Sequence, residues 1–140
     1  FERLCLSAAR TGAAGAALGE ALAYAKVREQ FGKPIGSFQA VSHKLAEMHV
    51  LVDTARLLVY RFAWEVARGK PSRADAAALK LFASEAYKQV ADLGLQVLGG
   101  YGYIADHSLE RHYRDARLAT IGAGTSEIQK NIIARELGLG

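Results

Sequence analysis

The sequence predicts an all-α fold, an antiparallel four-helix bundle. Three observations predict it. Apolar residues recur at three- and four-residue spacing over long stretches, the period of a helix with one buried face. No segment keeps up the apolar–polar alternation of a half-buried strand. Glycine, proline and capping signals cut the chain into long rods joined by short connections, the pattern of helices packed side by side. The 140 residues, 51% apolar and 23% charged, are one domain of ordinary size and globular composition.

The first helix spans about Glu2 to Gln30. Leu4, Ala8, Leu18, Leu22 and Ala25 give it an apolar face. Ala8, Gly12, Gly15 and Gly19 form a strip of small residues that permits close approach by a neighbouring element. Phe31-Gly32-Lys33-Pro34 stops it. A second helix runs from about Ser37 to Arg68, with Val41, Leu45, Met48, Val52, Ala55, Leu58, Phe62 and Val66 in step; Gly69 and Pro71 end it. The third starts at Ser72, with Asp75 three residues on, and continues to Leu98 on a face of Leu79, Phe82, Ala86, Val90, Leu93 and Val97. Gly99-Gly100 stops it and Tyr101-Gly102-Tyr103 follows as a tight loop. A shorter helix, about Ser108 to Leu118, leads into a glycine loop and a last helix, about Ser126 to Leu137.

That last junction is the most informative. Gly122, Ala123 and Gly124 carry almost no side chain, so a ligand can come close to their backbone. Ser126 and Gln129 read as an S-x-x-Q capping box, and Ile128, Ile132 and Ile133 as the apolar face beyond it. The free N–H groups of such a helix start suit a phosphate, a carboxylate or an electron-rich carbonyl.

Other chemistries lack their residues. The net charge of +4 is spread without a dense Lys/Arg run, so no nucleic-acid footprint is expected. The single cysteine, Cys5, rules out an internal disulfide framework and has no obvious activating partner. His43, His49, His107 and His112 lack paired-ligand spacing, so no metal site is expected. No Ser–His–Asp set is visible. Gly99-Gly100-Tyr101-Gly102 follows a helix, whereas the dinucleotide fingerprint follows a strand. No apolar run approaches the roughly 20 residues of a membrane span. The chain opens at Phe1, without a Met or a signal peptide and already helical, and is expected to be part of a longer protein.

Four patches remain: Arg28 to Ile35 (REQFGKPI), Phe38-Gln39, Gln96 to Tyr103 (QVLGGYGY), and Tyr113 to Arg117 (YRDAR) together with Gly124 to Gln129 (GTSEIQ). In this order they resemble the C-terminal domain of the acyl-CoA dehydrogenase flavoenzymes, over Glu2 to Leu137. The resemblance implies that residues 1–140 are the helical bundle of an enzyme whose N-terminal helical and middle β domains lie outside this chain. It implies FAD as cofactor and oxidation of an acyl-CoA to the trans-2-enoyl-CoA, in fatty-acid or branched-chain amino-acid catabolism. Electron-transferring flavoprotein would be the acceptor and a homotetramer, a dimer of dimers, the assembly. The compartment would be the cytoplasm in a bacterium or the mitochondrial matrix in a eukaryote.

By matching motif, Arg28, Gln39 and Gln96, Val97, Leu98, Gly99 and Gly100 resemble FAD contacts, serving a flavin held mainly by the neighbouring subunit. Thr125, Ser126 and Glu127 resemble the remaining FAD contact. Many members place the catalytic Glu just before the Gly-Thr; that position is Ala123 here, which cannot take a proton. A second group, resembling isovaleryl-CoA and long-chain acyl-CoA dehydrogenases, places it in the first helix before an Arg, and this chain has Glu2-Arg3 there. Glu2 is therefore the expected base, and Arg3, Ala123 and Gly124 are expected at the substrate, with the Ala123 N–H on the thioester oxygen. That placement is common to short branched-chain and long-chain enzymes, so it suggests a short branched acyl chain and leaves a long one open. Without the β-domain the chain alone is expected to bind FAD weakly or not at all and to be inactive. The alternatives are a non-catalytic helical oligomerisation or partner module, and an oxidase of the same superfamily.

Overall fold

The computed structural model describes residues 1–139. Three long helices, α1 (Glu2–Val27), α2 (Gln39–Ala67) and α3 (Arg73–Leu98), are followed by a short α4 (Gly100–Tyr103), α5 (Leu109–Ala119) and α6 (Ser126–Glu136). Contacts between the helices set the directions. Glu47 meets Gln89 and Arg61 meets Asp75, so α2 runs antiparallel to α3. Arg10 meets Ser84, while Ala17 lies beside Gly94, so α1 runs parallel to α3. α5 and α6 both pack on α3, sharing the fourth position of the bundle.

α3 is the central element. It buries two faces, with Leu79, Ala83, Ala86, Tyr87, Val90, Ala91, Val97 and Leu98 all inside. Its start is as expected: the Ser72 hydroxyl accepts the Asp75 N–H at 3.2 Å. α2 buries Leu45, Met48, Val52, Ala55 and Phe62 of its expected face, with Val59 added.

α1 departs from expectation in three ways. It ends at Val27, three residues early, because Arg28 turns extended. Glu29–Gln30 and Lys33–Pro34 then form a minimal antiparallel pair, β1 and β2, where no strand was expected. Phe31 (φ 55°) and Gly32 (φ 77°) supply the two left-handed residues that such a two-residue hairpin turn requires. Of its expected face Ala25 is buried and Leu4 and Leu18 are partly buried against the core, but the fully buried residues are otherwise small ones, Ser7, Thr11, Ala14, Ala17 and Ala21. Leu22 and Ala8 are exposed. Small side chains win there because α1 and α3 lie close: a Cβ on Gly94 would stand 3.8 Å from the Ala17 carbonyl. The expected glycine strip is mostly outside, with Gly12 and Gly19 facing open space and only Gly15 near Val52.

Two smaller corrections concern the far end of the chain. Tyr101-Gly102-Tyr103 is a helical turn, α4, rather than a loop. Gly102 seats against the end of α3, where a Cβ would come within 2.7 Å of the Leu95 carbonyl. Helix α6 is capped by Thr125, whose hydroxyl accepts the Ile128 N–H, and not by Ser126. Its buried residues are Ser126 and Gln129, while Ile128 is 47% exposed. Glu85 of α3 draws Ser126 inward, and the carbonyls of the turn before α6 draw in Gln129.

Candidate functional site

A cavity of about 310 Å³ opens between the start of α1 and the turn before α6. Phe1, Glu2, Arg3, Phe62, Ala76 and Ala123 line it. Glu2, in the first turn of α1, and Ala123, from the far end of the chain, thus face one space. Glu2 is exposed and Arg3 half-buried. Phe62 and Ala76 give the cavity its apolar wall.

The turn at 120–125 is held on several sides. Ala123 (φ 57°) and Gly124 (φ 89°) are both left-handed. The Gln129 side-chain N–H group donates to the carbonyls of Ala123 and Gly124, at 3.2 and 3.0 Å. The Lys80 ammonium, from α3, donates to the Gly124 carbonyl at 2.7 Å. Ser126 donates its hydroxyl to Glu85 at 2.6 Å and its N–H to the Thr120 carbonyl. Among the described residues the N–H groups of Ala123 and Gly124 make no hydrogen bond within the chain.

The charges around this turn follow from its partners. Burial pushes the Glu85 carboxyl up, but hydrogen bonds from Lys88 and Ser126 outweigh it and leave it below its usual range. Glu127, exposed in the first turn of α6, is lowered by its own backbone N–H and by the Thr125 hydroxyl. Ser126 spends both donors inside the chain, and the Thr125 hydroxyl is engaged with the Ile128 N–H and the Glu127 carboxylate.

The remaining candidates gather at the other end of the bundle. Tyr24, Arg28, Leu98, Gly100, Tyr101 and Ile104 line a cleft of about 350 Å³. The Arg28 guanidinium lies 5.6 Å from the centre of the Tyr101 ring. Gly99 (φ 60°) and Gly100 are exposed and a Cβ on either would meet open space. Val97 and Leu98 point into the core, leaving Gln96 and the backbone outward. Gln39 is the exposed first residue of α2. A guanidinium, an aromatic face and bare glycine backbone fit a phosphate-bearing aromatic cofactor such as FAD. Some 13 residues of α3 separate Glu85 from Leu98, about 20 Å at 1.5 Å per residue, so the two groups of FAD candidates are far apart on one chain.

Several residues at these sites went unread in the sequence. Lys80 was legible in principle, since it occupies a core step of α3 between Ala77 and Ala83. Glu85, Tyr24 and Glu20 were not, because their partners come from remote helices. Glu20, on α1, accepts from the Ser108 N–H at 3.2 Å, from its hydroxyl, and pairs with His107 at 3.1 Å, so it caps α5 from outside.

Comparison with known proteins defines the class. The family model for the acyl-CoA dehydrogenase C-terminal domain matches residues 1–138, and the chain belongs to that family. It is 47% identical over 135 residues to the probable acyl-CoA dehydrogenase YngJ of Bacillus subtilis, covering 96% of this chain and 36% of that protein. It is 48% identical over 137 residues to the mitochondrial isovaleryl-CoA dehydrogenase of Oryza sativa subsp. japonica, covering 98% and 34%. Butyryl-CoA dehydrogenase from Megasphaera elsdenii superposes with a TM-score of 0.94 at 41% identity, over 96% of this chain and 35% of that one. The chain thus spans about a third of the length of these relatives.

Proposed function

We propose that the chain is the C-terminal bundle of a longer FAD-dependent acyl-CoA dehydrogenase, with Glu2 as its base. One observation carries this reading: Glu2 and Ala123 line the same cavity. The relatives carry acyl-CoA dehydrogenase names, and the one named for isovaleryl-CoA supports a short branched acyl chain as substrate.

FAD, when bound, supplies the acceptor for the hydride that leaves the β-carbon. The chain's own residues do the rest. The acyl portion of the thioester lies against Phe62 and Ala76, which exclude water. The Glu2 carboxylate takes the proton from the α-carbon. Negative charge then builds on the thioester oxygen, and the unpaired Ala123 N–H donates to it. Arg28, with Gln39, Gln96 and the backbone from Val97 through Gly100, would hold the cofactor at one end of the bundle. Thr125, Ser126 and Glu127 would hold it at the other. Two clusters about 20 Å apart along α3 favour an assembly in which one flavin is shared between two protomers; a dimer of dimers is what the family resemblance implies. Electron-transferring flavoprotein would carry the electrons away.

The test is Glu2→Gln in the flavin-loaded enzyme. FAD absorbance should be retained, while bleaching of the flavin by acyl-CoA should slow by roughly 10²- to 10⁴-fold, the range of a lost general base. Near-normal bleaching would remove Glu2 from the role. Oxygen uptake in step with substrate would identify an oxidase instead.

A further inference from the structure

Lys80 is fully buried in the middle of the bundle. Its ammonium has one hydrogen-bond acceptor among the described residues, the Gly124 carbonyl at 2.7 Å. That acceptor already receives the Gln129 side chain at 3.0 Å, so it would not be orphaned without the lysine. The surroundings do not favour a cation. Burial pushes the Lys80 ammonium below its ordinary range, and Arg10 and Arg3 push the same way; Glu85 and Glu127 oppose them. An apolar side chain of the same length would avoid the desolvation and the repulsion. A buried charge kept against such costs is better explained by what it holds than by the stability it adds.

It holds the turn at the cavity. Gly124 follows Ala123 directly, and the two are the left-handed residues of that turn. The Gln129 side chain and the Lys80 ammonium converge on the Gly124 carbonyl from α6 and α3. Fixing that carbonyl orients the Gly124–Thr125 peptide, and the Gln129 side chain, which also holds the Ala123 carbonyl, ties the Ala123–Gly124 peptide to the same anchor; together they limit the φ and ψ of Gly124 and, through it, of Ala123. The Ala123 N–H is left without an internal acceptor beside Glu2. We propose that Lys80 is a positioning residue, which holds the Gly124 carbonyl so that the Ala123 N–H stays presented to the cavity shared with Glu2. The proposal deepens the dehydrogenase reading and rests on it for the identity of the oxygen that N–H meets.

The test is Lys80→Met in the flavin-loaded enzyme, read in three ways. Thermal stability should be equal or higher, since a desolvated cation is replaced by an apolar chain of similar volume. Amide hydrogen exchange at residues 122–125 should quicken while α3 and α6 keep their protection. With acyl-CoA, kcat should fall by roughly 10- to 100-fold with KM little changed, the scale of a displaced donor at a developing oxyanion. Unchanged exchange in the turn, or unchanged kcat, overturns the proposal. So does a Lys80→Met protein that is destabilised or cannot fold, because the lysine is then a structural tie. If the unsubstituted enzyme fails to bleach with acyl-CoA, the dehydrogenase reading fails, and the exchange at 122–125 still decides whether Lys80 holds the turn.

Discussion

At the scale of single residues, the turn before α6 separates positions that look alike. Gly122 and Gly124 flank Ala123, and all three read simply as small. Gly124 is left-handed at φ 89°, and a Cβ there would stand 2.7 Å from the Gln129 side-chain nitrogen. That nitrogen is engaged with two carbonyls and cannot retreat without breaking them. Gly122 has its nearest atoms at 3.7 and 3.8 Å, ordinary contact distances, and no such backbone demand. Gly124→Ala should therefore cost about 1–3 kcal/mol, and Gly122→Ala should stay within about 0.5 kcal/mol. Chemical unfolding of the two variants side by side measures both. That the backbone here is bare was legible in the sequence. Which glycine is required was not, because it depends on a side chain five residues on folding back over the turn.

At the scale of elements, capping shows the same divide. The Ser72 cap of α3 was readable because its partner lies three residues away. The Ser126 reading failed by one residue: Thr125 takes the cap, and Glu85 from another helix draws Ser126 inward. The α3–α5 contact depends on a similar remote pair, the Tyr87 hydroxyl and His112 Nδ1 at 2.8 Å. Burial lowers the His112 pKa from its ordinary 6.5, Arg111 lowers it further, and Glu20 and Asp115 act against them. The unfolded chain then takes up this proton at a higher pH than the fold does. The stability contributed by neutral His112 is present above about pH 6.5 and is lost as pH falls below it. Protonation also removes the acceptor that the neutral ring offers Tyr87. Urea unfolding at pH 7.5 and 5.5 should show a loss of stability that is smaller in His112→Phe. An equal loss in both proteins would mean that other groups govern this window.

At the scale of the whole molecule, the class of fold was legible because helical period and stop signals are local. The allocation of faces was legible for much of α2 and α3 but not for α1. A rule that counts large apolar side chains puts Leu22 fully inside and Leu18 with it, yet Leu22 is exposed and Leu18 only partly buried. The packed bundle instead buries Ala14, Ala17, Ala21 and Ala25, because α3 comes too close for leucine. Of the α1 glycines, only Gly15 keeps a neighbour within this chain, Val52, at close range. Gly12 and Gly19 are exposed helix-interior residues with nothing within 4 Å of an added Cβ. For such positions alanine gains about 0.5–1 kcal/mol over glycine, through lower backbone entropy in the unfolded chain and better helix propensity. Gly12→Ala and Gly19→Ala should each raise the melting temperature of this chain, and together their effects should add, since the two sites lie about 10 Å apart along the helix. The same pair, placed in an assembled enzyme, distinguishes open surface from contact surface. A gain carried over intact means that the strip faces solvent there too. A loss of melting temperature or of assembly means that a second surface closes on α1, and that the glycines are kept for it.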